Sequence, residues 1–146
     1  MAGKKILLVD DDEAFCESLV EQLQLHEEFE TIVAGTASEG LEIAKNNYFD
    51  ALLLDVSLPD MDGWEACGLM RGNGVKAPII MLTGDDTDAD LSLSLDVGAN
   101  DYVIKPFRLV VLFARLRVQL RQYEQSEDAV FTIGPYSFRP SGKILI

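Results

Sequence analysis

Apolar residues in this chain fall into two alternating patterns. Short, nearly unbroken runs occur at KILLV (5–9), FETIVA (29–34), ALLLD (51–55), PIIMLT (78–83) and DYVIK (101–105). Their length and their content of β-branched and aromatic residues predict strands. Between them, apolar residues recur at helical spacing. Phe15, Leu19 and Leu23 fall four apart within 13–26. Thr36 and Glu39 form a capping box that opens a helix through Leu41 and Ala44 to about Asn47. Asp62 and Glu65 form a second box, heading a helix to about Arg71. Residues 87–97 predict a short helix ending at Gly98, a residue suited to the left-handed turn beyond a helix. Leu109, Phe113, Leu116 and Leu120 line one face of a longer helix over 108–124.

Five successions of strand and helix predict an α/β fold, a doubly wound parallel sheet of five strands covered on both faces. Strands buried on both faces should be continuous apolar runs, as these are. After Gln122 the texture changes. YEQSEDA (123–129) is polar and reads as a linker. VFTIGPYSFRPSGKILI (130–146) reads as short strands split by Gly-Pro and Pro-Ser-Gly turns. Seventeen such residues cannot bury a core of their own. The expected division is therefore a domain over 1–122, a linker over 123–129 and the beginning of a second, β-first domain over 130–146.

Composition narrows this picture. The 146 residues are 48% apolar, enough for a core, and carry 25 acidic against 12 basic residues. A net charge of −13 argues against nucleic-acid binding by this segment alone, because phosphate binding requires Lys and Arg. Cys16 and Cys67 have no CxxC partner and no neighbouring His, so both read as small buried helix residues rather than zinc ligands. The N-terminal apolar run is four residues long, too short for a secretory signal or a membrane span, which predicts a cytoplasmic protein with reduced thiols.

Candidate chemistry sits at the strand ends. In an open parallel sheet the ligand lies outside the carboxyl ends of the strands. There the first strand ends in Asp10, Asp11 and Asp12, the third in Asp55, the fourth in Thr83 and Gly84, and the fifth in Lys105 and Pro106. Carboxylates gathered at one edge require a cation, and an oxygen-only donor set without His or Cys suits Mg²⁺. A carboxylate beside that cation could act as a nucleophile toward a phosphoryl donor. Lys105 and the Thr83 hydroxyl would hold the phosphoryl oxygens, and Gly84 would leave room for them. Asp12 is, in addition, a natural helix N-cap. An aspartate-based phosphatase is disfavoured by Ala14, where Thr or Val is expected, and a nucleotide-binding domain by the lack of a glycine-rich loop after the first strand. His26 and Trp64 carry no assigned chemistry.

The acidic run in LLVDDD, D-x-x-L-P-D-M-D-G at 55–63, P-I-I-M-L-T-G at 78–84 and G-A-N-D-Y-V-I-K-P-F at 98–107 together resemble the receiver domain of two-component response regulators, over about residues 4–122. The resemblance implies a flavodoxin-like sheet of order 2-1-3-4-5. It implies that Asp55 accepts the phosphoryl group, that Asp10, Asp11, Asp55 and the backbone carbonyl of Ser57 hold Mg²⁺, and that Thr83, Tyr102 and Lys105 carry the switch. It also implies a cis Lys105–Pro106 bond and a sensor histidine kinase as donor, with no catalysis beyond the domain's own phosphorylation and dephosphorylation. FTIGPYSF and RPSGKIL resemble the first strands of the winged-helix output domain of OmpR-like regulators, so DNA binding would belong to a part of the protein beyond residue 146. The alternative is a phosphorelay adaptor or phosphate sink without DNA output. Such regulators pair through the fourth helix, fifth strand and fifth helix. Here the expected homodimer face comprises Leu91, Leu95, Asp101, Val111, Arg115 and Arg117. Leu91 and Val111 stand near the places of the usual charged residues, and Asn100 stands where an acid is common.

Overall fold

A computed structural model describes residues 3–27, 29–84 and 98–132, the last seven as backbone alone. Strand β1 (Lys5–Val9) leads through helix α1 (Glu13–Glu27) to β2 (Glu30–Ala34). Then follow α2 (Ala37–Asn46), β3 (Ala51–Asp55), α3 (Gly63–Gly72), β4 (Ile79–Thr83), β5 (Asp101–Ile104) and α4 (Leu109–Thr132). The five strands pair in parallel in the order β2-β1-β3-β4-β5. The expected helix over 87–97, with Leu91 and Leu95, lies outside the described residues, as does the tail from residue 133.

Alternate residues of each strand face opposite layers. Leu7, Val9, Leu52, Leu54, Ile79 and Met81 pack against α2 and α3, through Ala37, Ala44, Ala66, Cys67 and Met70. Ile6, Leu8, Leu53, Ile80 and Leu82 pack against α1 and α4, through Cys16, Leu19, Leu23, Leu112, Leu116 and Leu120. β3 and β4 are buried along their whole length, and β1 from Ile6 onward. The two edge strands, β2 and β5, are only partly buried, which corrects the expectation of five fully covered strands. Their sequences, ETIVA and DYVI, carry the polar residues that an edge tolerates and a centre does not.

The helix starts follow the predicted chemistry with small shifts. Thr36 accepts the Glu39 N–H at 3.1 Å, and the Glu39 carboxylate reaches back to the Gly35 N–H at 3.0 Å. Asp62 caps the Trp64 N–H at 2.8 Å, the second amide of α3 rather than the third. Asp12 accepts the Phe15 N–H at 3.1 Å and so caps α1. Asp60, in the loop after β3, accepts from Ala37 and Ser38 at 2.8 and 2.9 Å, using two amides that α2 cannot satisfy internally. These two bonds hold the Asp60 carboxyl below the usual carboxylate range.

Two features of the fold exceed the sequence reading. The Arg71 guanidinium donates to the carbonyls of Gly98, Val75 and Ala77 at 2.9, 2.8 and 2.8 Å and to the Asn100 side-chain oxygen at 2.7 Å. That oxygen also accepts the Ile79 N–H at 2.9 Å, so α3, β4 and the entry to β5 share one knot. Gly98, with φ +99°, makes the turn into this knot. The second feature is the length of α4. It runs through residues 123–132, so the polar stretch expected as a linker is helix, and residues 130–132 continue it rather than begin a strand. Glu124, Gln125, Glu127 and Ala129 are good helix formers, and no Gly or Pro intervenes before Gly134. Tyr123 packs against the α2–α3 layer and Glu124 pairs with Lys4, which ties the helix to the start of the sheet.

Gly63 is the tightest of the described glycines. A Cβ placed there would lie 2.1 Å from the Asp55 carbonyl oxygen and 2.6 Å from the Val56 Cα. Backbone cannot yield as a side-chain tip can, so Gly63→Ala should cost about 3 kcal/mol of stability. Urea denaturation should show a lowered midpoint at unchanged slope.

Candidate functional site

The sheet register assembles the site. Val9 pairs with Leu54, so Asp10 follows at the level of Asp55. Asp55 pairs with Leu82, which places Thr83 one step further, and Thr83 pairs with Ile104, which places Lys105 one step further again. The Lys105 N–H closes the row on the Thr83 carbonyl at 2.7 Å. Four strand ends thus deliver two carboxylates, a hydroxyl and an ammonium to one edge.

Asp10, Asp55 and Thr83 are the buried polar residues at this edge, at 2%, 6% and 2% exposure. The Lys105 ammonium lies 2.8 Å from Asp10 Oδ2 and 3.6 Å from Asp55 Oδ1. Asp10 Oδ1 accepts the Asp12 N–H at 2.9 Å. The ammonium also stands 4.4 Å from the centre of the Phe15 ring. Asp11 is exposed at the mouth. Asp10, Asp11 and Asp55 can each offer an oxygen within 4.8 Å of the others. Two buried carboxylates and one exposed, with no nitrogen or sulfur donor among them, fit a hard divalent cation that keeps part of its water. Cys16, whose Sγ donates to the Asp10 carbonyl at 3.4 Å, is no rival ligand. Burial and the Asp10 charge push its thiol up to about 11, so it stays protonated.

The remaining expected residues fall into place around this centre. Ser57 faces Asp62 in a bridge closed by the Gly63 N–H on the Val56 carbonyl at 2.8 Å. Gly84 is exposed, and a Cβ there would meet no described atom within 4 Å. Lys105–Pro106 is cis. Tyr102 is half-buried on β5, with the Arg115 guanidinium 6.0 Å from its ring centre. Of the expected dimer face, Asp101 pairs with Arg115 at 2.8 Å within the chain, and Val111 is exposed beside them. Arg117 sits two residues along the helix from Arg115, on the side of α1, 3.8 Å from Glu27. His26 is exposed at the end of α1, bonded to Gln22, and Trp64 is buried at the start of α3.

Sequence reasoning missed Asp60, Gly63, Arg71 and the ring of Phe15. Only Gly63 carried a local signal, as the glycine that starts a capped helix directly after the acidic loop.

Burial raises the Asp55 pKa, the Asp10 charge adds to the rise, and Lys105 and the Ser57 N–H oppose it. For Lys105, burial pulls downward but is outweighed by the hydrogen bond to Asp10 and the charges of Asp55 and Asp10, so its pKa is raised. A folded-state carboxyl pKa above the unfolded value means that ionised Asp55 destabilises the fold. That penalty is complete above the folded pKa and vanishes as pH falls below the unfolded one. Asp55→Asn should therefore raise the denaturation midpoint of the cation-free protein at neutral pH. The gain should shrink as pH is lowered through the carboxylate range, which denaturation curves at several pH values would reveal.

Comparison with known proteins agrees with this edge chemistry. The family model described as the response regulator receiver domain matches residues 6–117. The DNA-binding response regulator MtrA of Mycolicibacterium smegmatis is 39% identical over 131 residues, covering 90% of this chain and 57% of that protein. The chain spans about half the length of the curated relatives it matches. A CheY-like receiver domain protein from Methanospirillum hungatei superposes with a TM-score of 0.78 at 34% identity, covering 84% of this chain and 98% of the other. The receiver domain of the sensor histidine kinase PA1611 from Pseudomonas aeruginosa, solved with magnesium in its active-site cleft, gives a TM-score of 0.72 at 30% identity, covering 82% and 99%. Sheet order, strand-end carboxylates and family match concur: the chain belongs to the response regulator receiver domains.

Proposed function

We propose that this receiver accepts a phosphoryl group on Asp55 from a histidine-kinase phosphohistidine. The observation that carries the reading is the position of Asp55: a buried carboxylate at a strand end, within 3.6 Å of an ammonium and within reach of two further carboxylates. In the transfer, an Asp55 carboxylate oxygen forms a bond to phosphorus while the phosphorus–nitrogen bond of the donor breaks, and the ring, already protonated on its other nitrogen, leaves as neutral imidazole. The product is an acyl phosphate on Asp55. Asp10, Asp11, Asp55 and the Ser57 carbonyl would hold Mg²⁺. When bound, Mg²⁺ supplies positive charge to the transferring phosphoryl oxygens and offsets the repulsion among the carboxylates. Lys105 donates to a phosphoryl oxygen once it is released from Asp10, and the Thr83 hydroxyl donates to another.

The added phosphate brings negative charge and three acceptor oxygens to the edge. Movement of Thr83 and Lys105 toward it would bias the position of Tyr102 on β5 and the surface around Asp101, Val111 and Arg115. We assign that surface to a phosphorylation-dependent homodimer. The output would be transcriptional, through a DNA-binding domain after residue 146. The support is the DNA-binding relative, which is longer than this chain, and the winged-helix-like sequence of the tail. Among the described residues no helix is long and apolar enough to cross a membrane, which accords with a cytoplasmic place for the domain.

Intact-protein mass spectrometry after incubation with acetyl phosphate tests the core of this reading. Wild type should gain one phosphoryl group only when Mg²⁺ is present. Asp55→Asn should gain none while keeping its circular dichroism spectrum. An equal adduct on the variant would remove Asp55 from the role.

A further inference from the structure

Lys105 is held by more than its two carboxylates. Its ammonium stands over the face of the Phe15 ring, 4.4 Å from the centre, inside the range where an aromatic quadrupole attracts a cation. The ring itself is fixed from two sides. Asp12 caps the Phe15 N–H at 3.1 Å, which sets the first turn of α1. Phe107, two residues beyond Lys105, meets the Phe15 ring edge-to-face, with centres 5.9 Å apart and planes at 82°. Phe15 and Phe107 both pack onto the α1–α4 side of the core. The ammonium thus has Asp10 and Asp55 before it and an aromatic face beside it.

The geometry points to Phe15 as a positioning residue for Lys105, its ring confining the ammonium at the edge of the site when Asp10 turns to a metal ion and Lys105 turns to phosphate. This rests on the phosphoacceptor reading of Asp55. A lysine has four rotatable bonds and three donors, and carboxylates alone draw it toward whichever is nearest. When Asp10 and Asp55 are occupied by another cation, a lysine without a second holding surface is free to swing into solvent, and its side chain is already 28% exposed. The ring face supplies that surface without competing for a hydrogen bond. An aliphatic residue of similar volume fills the space but has no quadrupole. The third aspartate of the LLVDDD run thereby gains a second consequence, because capping by Asp12 sets where the ring stands.

The experiment compares Phe15→Leu and Phe15→Tyr with wild type by two readouts. The first is the NMR position of the Lys105 ε-methylene protons, with and without Mg²⁺. A ring face shifts these upfield of the other lysines. The shift should persist with Mg²⁺ in wild type and Phe15→Tyr and vanish in Phe15→Leu. The second is the rate constant for Asp55 phosphorylation by acetyl phosphate at saturating Mg²⁺. It should fall roughly three- to tenfold in Phe15→Leu and stay within about twofold of wild type in Phe15→Tyr. An unshifted Lys105 in wild type overturns the proposal. So does a lost shift with an unchanged rate, and so does an equal fall in both variants, which would mark a packing role only. A wild type that takes no phosphoryl group overturns the Asp55 reading and the role of Phe15 in transfer with it, whereas the ring shift still reports the Phe15–Lys105 contact by itself.

Discussion

The site depends on one ammonium standing between two buried carboxylates. Asp10 and Asp55 are almost wholly excluded from solvent, and two such charges side by side repel. Lys105 meets Asp10 at 2.8 Å and Asp55 at 3.6 Å and offsets much of that repulsion. An ion pair of this kind contributes little net stability, but loss of the ammonium would leave two buried carboxylates unopposed. Its value is poise. Two carboxylates are held side by side, yet the fold does not open to relieve them.

Everything around the trio serves to keep it in register. Apart from Lys5, Asp55 and Thr83 at their ends, the three central strands are apolar ladders, so a one-residue slip would exchange their two packed faces and undo both helix layers. Asp60 ties the loop after β3 to the start of α2, and Gly63 brings the start of α3 against the backbone of Asp55. On the far side, Arg71 and Asn100 bind the entry to β5, whose other end carries Lys105. The strand-end side chains therefore hang on backbone that is fixed at both ends.

The strands, their parallel sense and the four chemical strand ends were legible in the sequence, because apolar runs and polar terminators are local signals. The sheet order came from resemblance, since nothing in periodicity distinguishes one neighbour from another. The edge strands could have been read from the polar residues in ETIVA and DYVI. Arg71 could not, because its four acceptors are carbonyls and one amide scattered over thirty residues, and no local pattern marks them. Phe15 was legible as a core residue and illegible as a neighbour of Lys105, since that contact joins α1 to the turn after β5. The end of α4 was misread for the opposite reason. Polarity in residues 123–129 suggested a linker, although the same residues favour helix and an ion pair to Lys4 anchors their start.

That last feature has a geometric consequence. A helix of 24 residues is about 36 Å long, and each residue in it advances about 1.5 Å and turns about 100°. Rooted on the sheet at Tyr123 and Glu124, α4 acts as a shaft rather than a tether. The point and direction in which the described helix ends at Thr132 are therefore set by the domain it grows from. Adding or removing one residue in this stretch would barely change the helix's reach, but it would turn its end by more than a quarter turn.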